Sequence, residues 1–185
     1  MSTRRKKPRL FSFSREVEVG NFEEVVTAPE ERRVLEAMVD AFLEICRVQA
    51  VSPAQLAAVA AAARHPAAYT RGVGITRLTV LTHYFEEAVG VLEGLVRDPD
   101  EELRLFATAS LPNTPEPVAV RLLGQALADP SFRVRKTAAQ AAAAFPAPAL
   151  VPVLERALAA EPDARVKVPL SLALDFQRRG APPSP

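Results

Sequence analysis

Asp129-Pro130-Ser131-Phe132-Arg133-Val134-Arg135 carries two helix boundaries within seven residues. Proline disfavours helical geometry at the residue before it and is tolerated only in the first turn of a helix that follows, so Asp129-Pro130 separates one helix from the next. The arrangement has counterparts: His65-Pro66 leads to Arg71, Asp98-Pro99 to Arg104 and Glu161-Pro162 to Lys167, the basic residue always falling six places after the first member. The first members lie 33, 31 and 32 residues apart. A period of that length marks a chain built from stacked supersecondary units.

The flanks keep the same phase. Upstream, Val89, Leu92 and Val96 correspond to Val120, Leu123 and Leu127, and then to Val151, Leu154 and Leu158, one face of a helix each time. Downstream, Thr70, Leu103, Val134 or Val166 precedes the basic position, and Gly74, Ala107, Ala138 or Leu170 follows three residues after it. The spacing predicts four helical hairpins, roughly 53–83, 85–111, 115–145 and 148–178. Such hairpins cannot bury their apolar faces alone and stack into a solenoid. Thr27-Ala28-Pro29-Glu30 has the form of a capping box opening an N-terminal helix to about Val48, with Leu35, Met38, Val39, Phe42, Leu43 and Cys46 as its apolar stripe. Ser52-Pro53-Ala54-Gln55 repeats the start signal. Pro169, six residues into the last helix, predicts a bend or break there.

Composition agrees. Alanine, the best helix former, supplies 33 of 185 residues, and there is no Trp. A β-sandwich and a parallel α/β sheet are disfavoured. The charge is +1 overall, but Arg4, Arg5, Lys6, Lys7 and Arg9 stand together without an acid, leaving 18 basic against 22 acidic side chains elsewhere. Alternation of Phe11, Phe13, Val17 and Val19 suggests a short strand or an extended arm across residues 10–26. Gly180-Ala181-Pro182-Pro183-Ser184-Pro185 reads as a helix stop and flexible tail. The expected organisation is a basic tail and arm over 1–27, a helical repeat domain over 28–180 and a tail over 181–185. A single Cys46 requires no oxidising compartment, and the longest apolar run of the Ala-rich region, Leu56 to Ala63, falls well short of the roughly 20 residues of a bilayer span. The expected location is the cytoplasm, and the excess of Arg over Lys suggests a bacterial source.

On Asp129 to Arg135, and with substitutions on Asp98 to Arg104 and Glu161 to Lys167, the chain resembles the HEAT-like repeats, in particular the short type of bilin lyase subunits. The resemblance covers about residues 53–178. Leu105 to Pro115, with Leu111-Pro112-Asn113-Thr114-Pro115, also resembles the leucine-rich variant repeat. The resemblance implies an all-α fold: a right-handed α-solenoid of about four HEAT-like helical hairpins with an N-terminal capping helix. Some HEAT-like proteins are DNA glycosylases whose site relies on Trp and an acid. With no Trp present, no catalytic residue carries over.

The basic series Arg71, Arg104, Arg135 with Lys136, and Lys167 would form a ladder along one side of the stack. It has two readings. It is an electropositive track for phosphates or acidic partners, or each guanidinium bonds a loop acid, since Asp98, Asp129 and Glu161 recur in phase with it. The tail Arg4, Arg5, Lys6, Lys7 and Arg9 is a candidate nucleic-acid contact. His65 and His83 have no Cys or further His at ligand spacing, so no metal is expected, and His65 takes the loop slot that Asp holds elsewhere. Cys46 reads as a buried hydrophobe. The acid pairs Glu23-Glu24, Glu30-Glu31, Glu86-Glu87 and Glu101-Glu102 read as first-turn residues that complement helix dipoles. No catalytic or cofactor-binding set emerges. The function expected is a non-catalytic protein–protein interaction scaffold whose concave surface, lined by second helices, takes a protein partner. The alternative is a nucleic-acid-associated binder using the tail and the ladder. A bilin lyase subunit is a third class.

Overall fold

The computed structural model describes residues 14–23 and 25–180. Among them the helices are α1 (Arg15–Glu23), α2 (Pro29–Val48), α3 (Pro53–Ala63), α4 (Ala68–Leu81), α5 (Glu86–Val96), α6 (Glu101–Ser110), α7 (Glu116–Ala126), α8 (Phe132–Ala142), α9 (Val151–Ala160) and α10 (Ala164–Gly180). Short 3₁₀ turns at Leu111–Asn113 and Pro148–Leu150 lead into α7 and α9. The described residues contain no strand, and none of their helices is long and apolar enough to cross a membrane. The fold is an all-α solenoid of helical hairpins. The residues group into two compact units, one through Leu78 and one from Thr79, with the division inside α4.

In the first unit, α2 and α3 pack side by side. Leu35, Met38, Val39, Phe42, Ile45 and Cys46 form the buried stripe of α2, and Leu56, Val59, Ala62 and Ala63 that of α3. Ile45 takes the place expected of Leu43, which is only half-buried. The capping box at Ser52 forms: the Gln55 N–H donates to Ser52 Oγ at 3.3 Å, and Gln55 Oε1 accepts from the Ser52 N–H at 2.9 Å. The one expected at Thr27 does not, because the N-cap is Ala28 and Pro29 opens the helix without a side-chain cap.

The extended arm is corrected over its described part. Residues 15–23 are helical and dock on α2. Phe11 and Phe13 lie outside the described residues. Val17 is exposed while Glu18, Val19 and Phe22 are buried, a three-to-four spacing that the alternation of valines concealed. Glu18 tolerates burial because Arg77 donates to its carboxylate, and the same guanidinium lies 5.2 Å from the centre of the Phe42 ring. Arg15 holds Asp40 at 2.5 Å on the rim. Glu23 closes α1 where a first turn was expected, while Glu30-Glu31, Glu86-Glu87 and Glu101-Glu102 do occupy first turns.

The second unit consists of the hairpins α5–α6, α7–α8 and α9–α10, whose second helices α6, α8 and α10 pack in series. Close approach comes from alanine: Ala138, Ala139, Ala141 and Ala142 of α8 are all buried, and Leu92, Leu122, Leu123, Leu150 and Leu154 fill the space between layers. Pro169 does not break α10, which runs unbroken from Ala164 to Gly180, although the proline removes the hydrogen bond that would reach the Arg165 carbonyl.

One buried side chain ties the last hairpin to the loop after α8. Gln177 Nε2 donates to the carbonyls of Ala142 at 2.6 Å and Phe145 at 2.8 Å, while its Oε1 accepts from the Ala147 N–H at 2.8 Å. Gln177→Leu keeps the volume and strands all three backbone groups. It is expected to lower stability by about 2 kcal/mol, the cost of buried polar groups left unpaired, read by urea unfolding. A loss below about 0.5 kcal/mol in that measurement would mean that water replaces the amide.

Candidate functional site

Four inter-helix loops share one local device. The residue before each proline accepts a hydrogen bond from the backbone N–H two places on: His65 Nδ1 from Ala67 at 3.2 Å, Asp98 from Asp100 at 3.0 Å, Asp129 from Ser131 at 2.8 Å and Glu161 from Asp163 at 2.9 Å. Short acceptor side chains make this turn readily, and His65 fills the acid's slot with a ring nitrogen. In the first three of these loops the two carbonyls at the turn accept from the arginine six places after its start.

Arg104 donates from Nη1 to the carbonyls of Asp98 at 2.9 Å and Pro99 at 3.1 Å in its own loop. Its Nε and Nη2 grip the two carboxylate oxygens of Asp129, one repeat on, at 2.8 and 3.2 Å. Arg135 repeats the pattern one repeat later, with the Asp129 and Pro130 carbonyls at 2.8 and 3.0 Å and the Glu161 oxygens at 2.8 and 2.9 Å. The fork of the guanidinium suits this double duty, since its five donors are held in one plane. The Asp129 and Glu161 hydrogen bonds raise the pKa of Arg104 and Arg135 respectively, and Arg135 holds the Glu161 carboxyl below its ordinary value. Arg71 is buried and donates to the His65 and Pro66 carbonyls at 3.3 and 3.2 Å.

The remaining members of the series differ. Lys136 and Lys167 are exposed. Arg4, Arg5, Lys6, Lys7 and Arg9 lie outside the described residues. Asp163, beside Lys167 in the last loop, accepts from the Arg165 side chain and N–H, which lowers its pKa to about 2. Cys46 is buried, which pushes its thiol up and away from nucleophile character. Among the described residues, no cluster of three or more His, Cys, Asp and Glu has the geometry to hold a metal ion.

Two surface depressions of the second unit border the ladder. A crevice of about 800 Å³ opens between α7 and α9, near Gly124 and Val153. Two of its cations are already engaged, Arg121 by Glu93 at 2.6 Å and Arg135 by Glu161 at 2.8 Å. On the second helices a groove of about 460 Å³ runs between α6 and α8, where Leu105, Phe106 and Ala109 face Phe132, Lys136 and Gln140. Arg133 at its edge is held by Glu101 and Glu102, and the Arg165 guanidinium lies 3.8 Å from the centre of the Phe132 ring. Neither Phe132–Arg165 nor the Gln177 bridge was visible in the sequence, since no repeat-wide pattern includes them.

Among the described residues the arrangement offers an apolar and aromatic strip with the exposed Lys136 beside it, and no convergent set of acid, base and nucleophile. No curated protein sequence matches the chain. The crystal structure of an engineered protein aligns with a TM-score of 0.46 at 19% identity, covering 90% of this chain and 80% of that one. Residues 88–174 match the family of HEAT repeats, and it is to HEAT repeats that this part of the chain is similar.

Proposed function

We propose that the chain is a non-catalytic protein–protein interaction scaffold, acting in the cytoplasm, that receives its partner on the second-helix face around the α6–α8 groove. The observation that supports this reading is the internal use of the ladder: Arg104 and Arg135 each place three nitrogens on loop oxygens, while Leu105, Phe106 and Phe132 remain partly open. A phosphate track needs uncommitted cations; an apolar groove needs uncommitted carbon. HEAT-repeat surfaces are used in this second way as extended binding faces. The short bilin-lyase-type repeat remains a likeness of the Asp129–Arg135 motif, and Leu111–Asn113, read as a leucine-rich variant signature, forms a 3₁₀ turn between α6 and α7.

The test is capture of partners at about 0.1 and 1 M salt by three proteins: the full chain, the chain without residues 1–9, and the Leu105→Asp/Lys136→Glu variant. A protein retained at both salt concentrations, independent of the tail and lost with the double variant, is expected, because apolar burial does not depend on counter-ion release. Thermal unfolding of the double variant, at one half-buried and one exposed position, is expected to stay within about 5 °C of the parent. Nucleic acid recovered only with the tail and lost at 1 M salt would overturn the proposal in favour of a nucleic-acid binder using Arg4, Arg5, Lys6, Lys7 and Arg9.

A further inference from the structure

The two sides of a second helix are not alike along the second unit. One turn after Arg104 and Arg135 stand Thr108 and Ala139, both fully buried, each on a helix that packs against the next second helix. The matching residue of α10, one turn after Lys167, is Ser171, and it is exposed. Beside it Val168 and Leu172 are 63% and 60% exposed, the largest values among the big apolar side chains described. The side of α10 that corresponds to the covered side of α6 and α8 is therefore open, with a small polar residue at its middle and an apolar row along its edge.

The charges along this side have a symmetry that identifies a cover. Lys167 and Asp175 stand four residues before and four after Ser171. With a second α10 laid antiparallel and Ser171 on the two-fold axis, Lys167 comes level with Asp175 of the other copy. This pair occurs twice, as an isologous contact requires. A parallel arrangement in the same register would instead oppose like charges. At 1.5 Å rise per residue the two Lys167–Asp175 pairs are separated by about 12 Å along the helix, leaving the centre to Ser171, whose small side chain allows close approach. The same two-fold places both Val168–Leu172 rows on one side of the contact, where they run together. Lys167 and Asp175 are exposed.

We infer that α10 is a self-association surface and that its cover is a second copy of this chain, paired antiparallel about Ser171. The contact uses the open side of α10 and leaves the α6–α8 groove unused, so it stands or falls apart from the scaffold reading. A single helix pair buries less than a standard interface, and the dimer is correspondingly weak.

Sedimentation velocity of the full chain decides the matter. The expected result is a monomer–dimer equilibrium that moves toward dimer between about 10 and 500 μM and weakens with added salt, as for modest, charge-dependent contacts. Lys167→Asp and Asp175→Lys each create two like-charge pairs and are expected to weaken the dimer at least about tenfold. Mixed in equal amounts, the two variants again present opposite charges at both pairs and are expected to form a heterodimer at the parent's affinity. Thermal unfolding of each variant checks that folding is retained, both positions being exposed. A parent that stays monomeric to about 500 μM, single variants that dimerise like the parent, or a mixture that stays monomeric would each overturn the inference.

Discussion

Gly74→Ala loosens the first unit by more than about 3 kcal/mol, while Gly72→Ala, two residues earlier in the same helix, stabilises it by about 0.5–1 kcal/mol. Glycine in a helix is costly through backbone entropy, so an alanine with room to stand gains that amount. Gly72 has such room, with nothing within 4 Å of a Cβ. At Gly74 the Cβ would fall on the Ala63 backbone nitrogen and within 2.5 Å of the Ala62 carbonyl carbon and 2.8 Å of the Ala63 Cα. These are main-chain atoms of a neighbouring helix. No rotamer relieves the overlap, so α3 and α4 must separate and the buried Ala62 and Ala63 lose their packing. Urea and thermal unfolding of the two variants give the sign directly. A drop of about 3 kcal/mol corresponds to roughly 6–12 °C in a chain of this size. Equal melting of both variants would show that the helices do not meet at Gly74.

Arg135→Ala is the second large effect. It leaves the Glu161 carboxylate buried without its partner, and frees the Asp129 and Pro130 carbonyls as well. Breaking a buried pair from one side costs about 3–5 kcal/mol, more than the pair contributes over an apolar replacement. Arg135→Lys recovers only part of this, because a single ammonium cannot span two carboxylate oxygens and two carbonyls at once. The loss depends on pH in a defined direction. Glu161 has a folded pKa below its ordinary 4.5, so the stability it contributes is complete above that value and disappears as pH falls through the lowered folded one. The difference between parent and Arg135→Ala is therefore largest at neutral pH and narrows below pH 4.5. Urea unfolding at pH 7 and near pH 3 measures it. A difference at pH 7 under about 1 kcal/mol would return Arg135 to the candidates for ligand binding.

How far these features could be read from the residues alone depends on the distance over which each cause acts. Helix limits were legible: α2 was expected at 29–48 and runs Pro29–Val48, because proline and the first-turn residues act within a turn of themselves. The His65 slot was legible for the same reason, its ring nitrogen bonding two residues away. Thr27 shows the limit of that reasoning, since a residue of the right type stands one place before the N-cap, Ala28, and the helix opens at Pro29 without a side-chain cap. The arm at residues 15–23 was misread because helix and strand patterns differ there in the fates of Val17 and Glu18, and the burial of Glu18 rests on Arg77, 59 residues on. Gln177 was silent for a similar reason, its three partners lying 30 to 35 residues back.

The ladder divides between the two. Its phase, its period and the recurrence of an acid with each arginine are properties of the chain, because repeats must present the same groups at the same place to stack at all. Which acid each arginine takes is a property of the stack: Arg104 and Arg135 hold their own loops by carbonyls and the next repeat by its carboxylate, 25 and 26 residues away. Tertiary packing thus separated side chains of one pattern into buried links and exposed Lys136 and Lys167, since a charge is neutralised only by the group that folding brings against it.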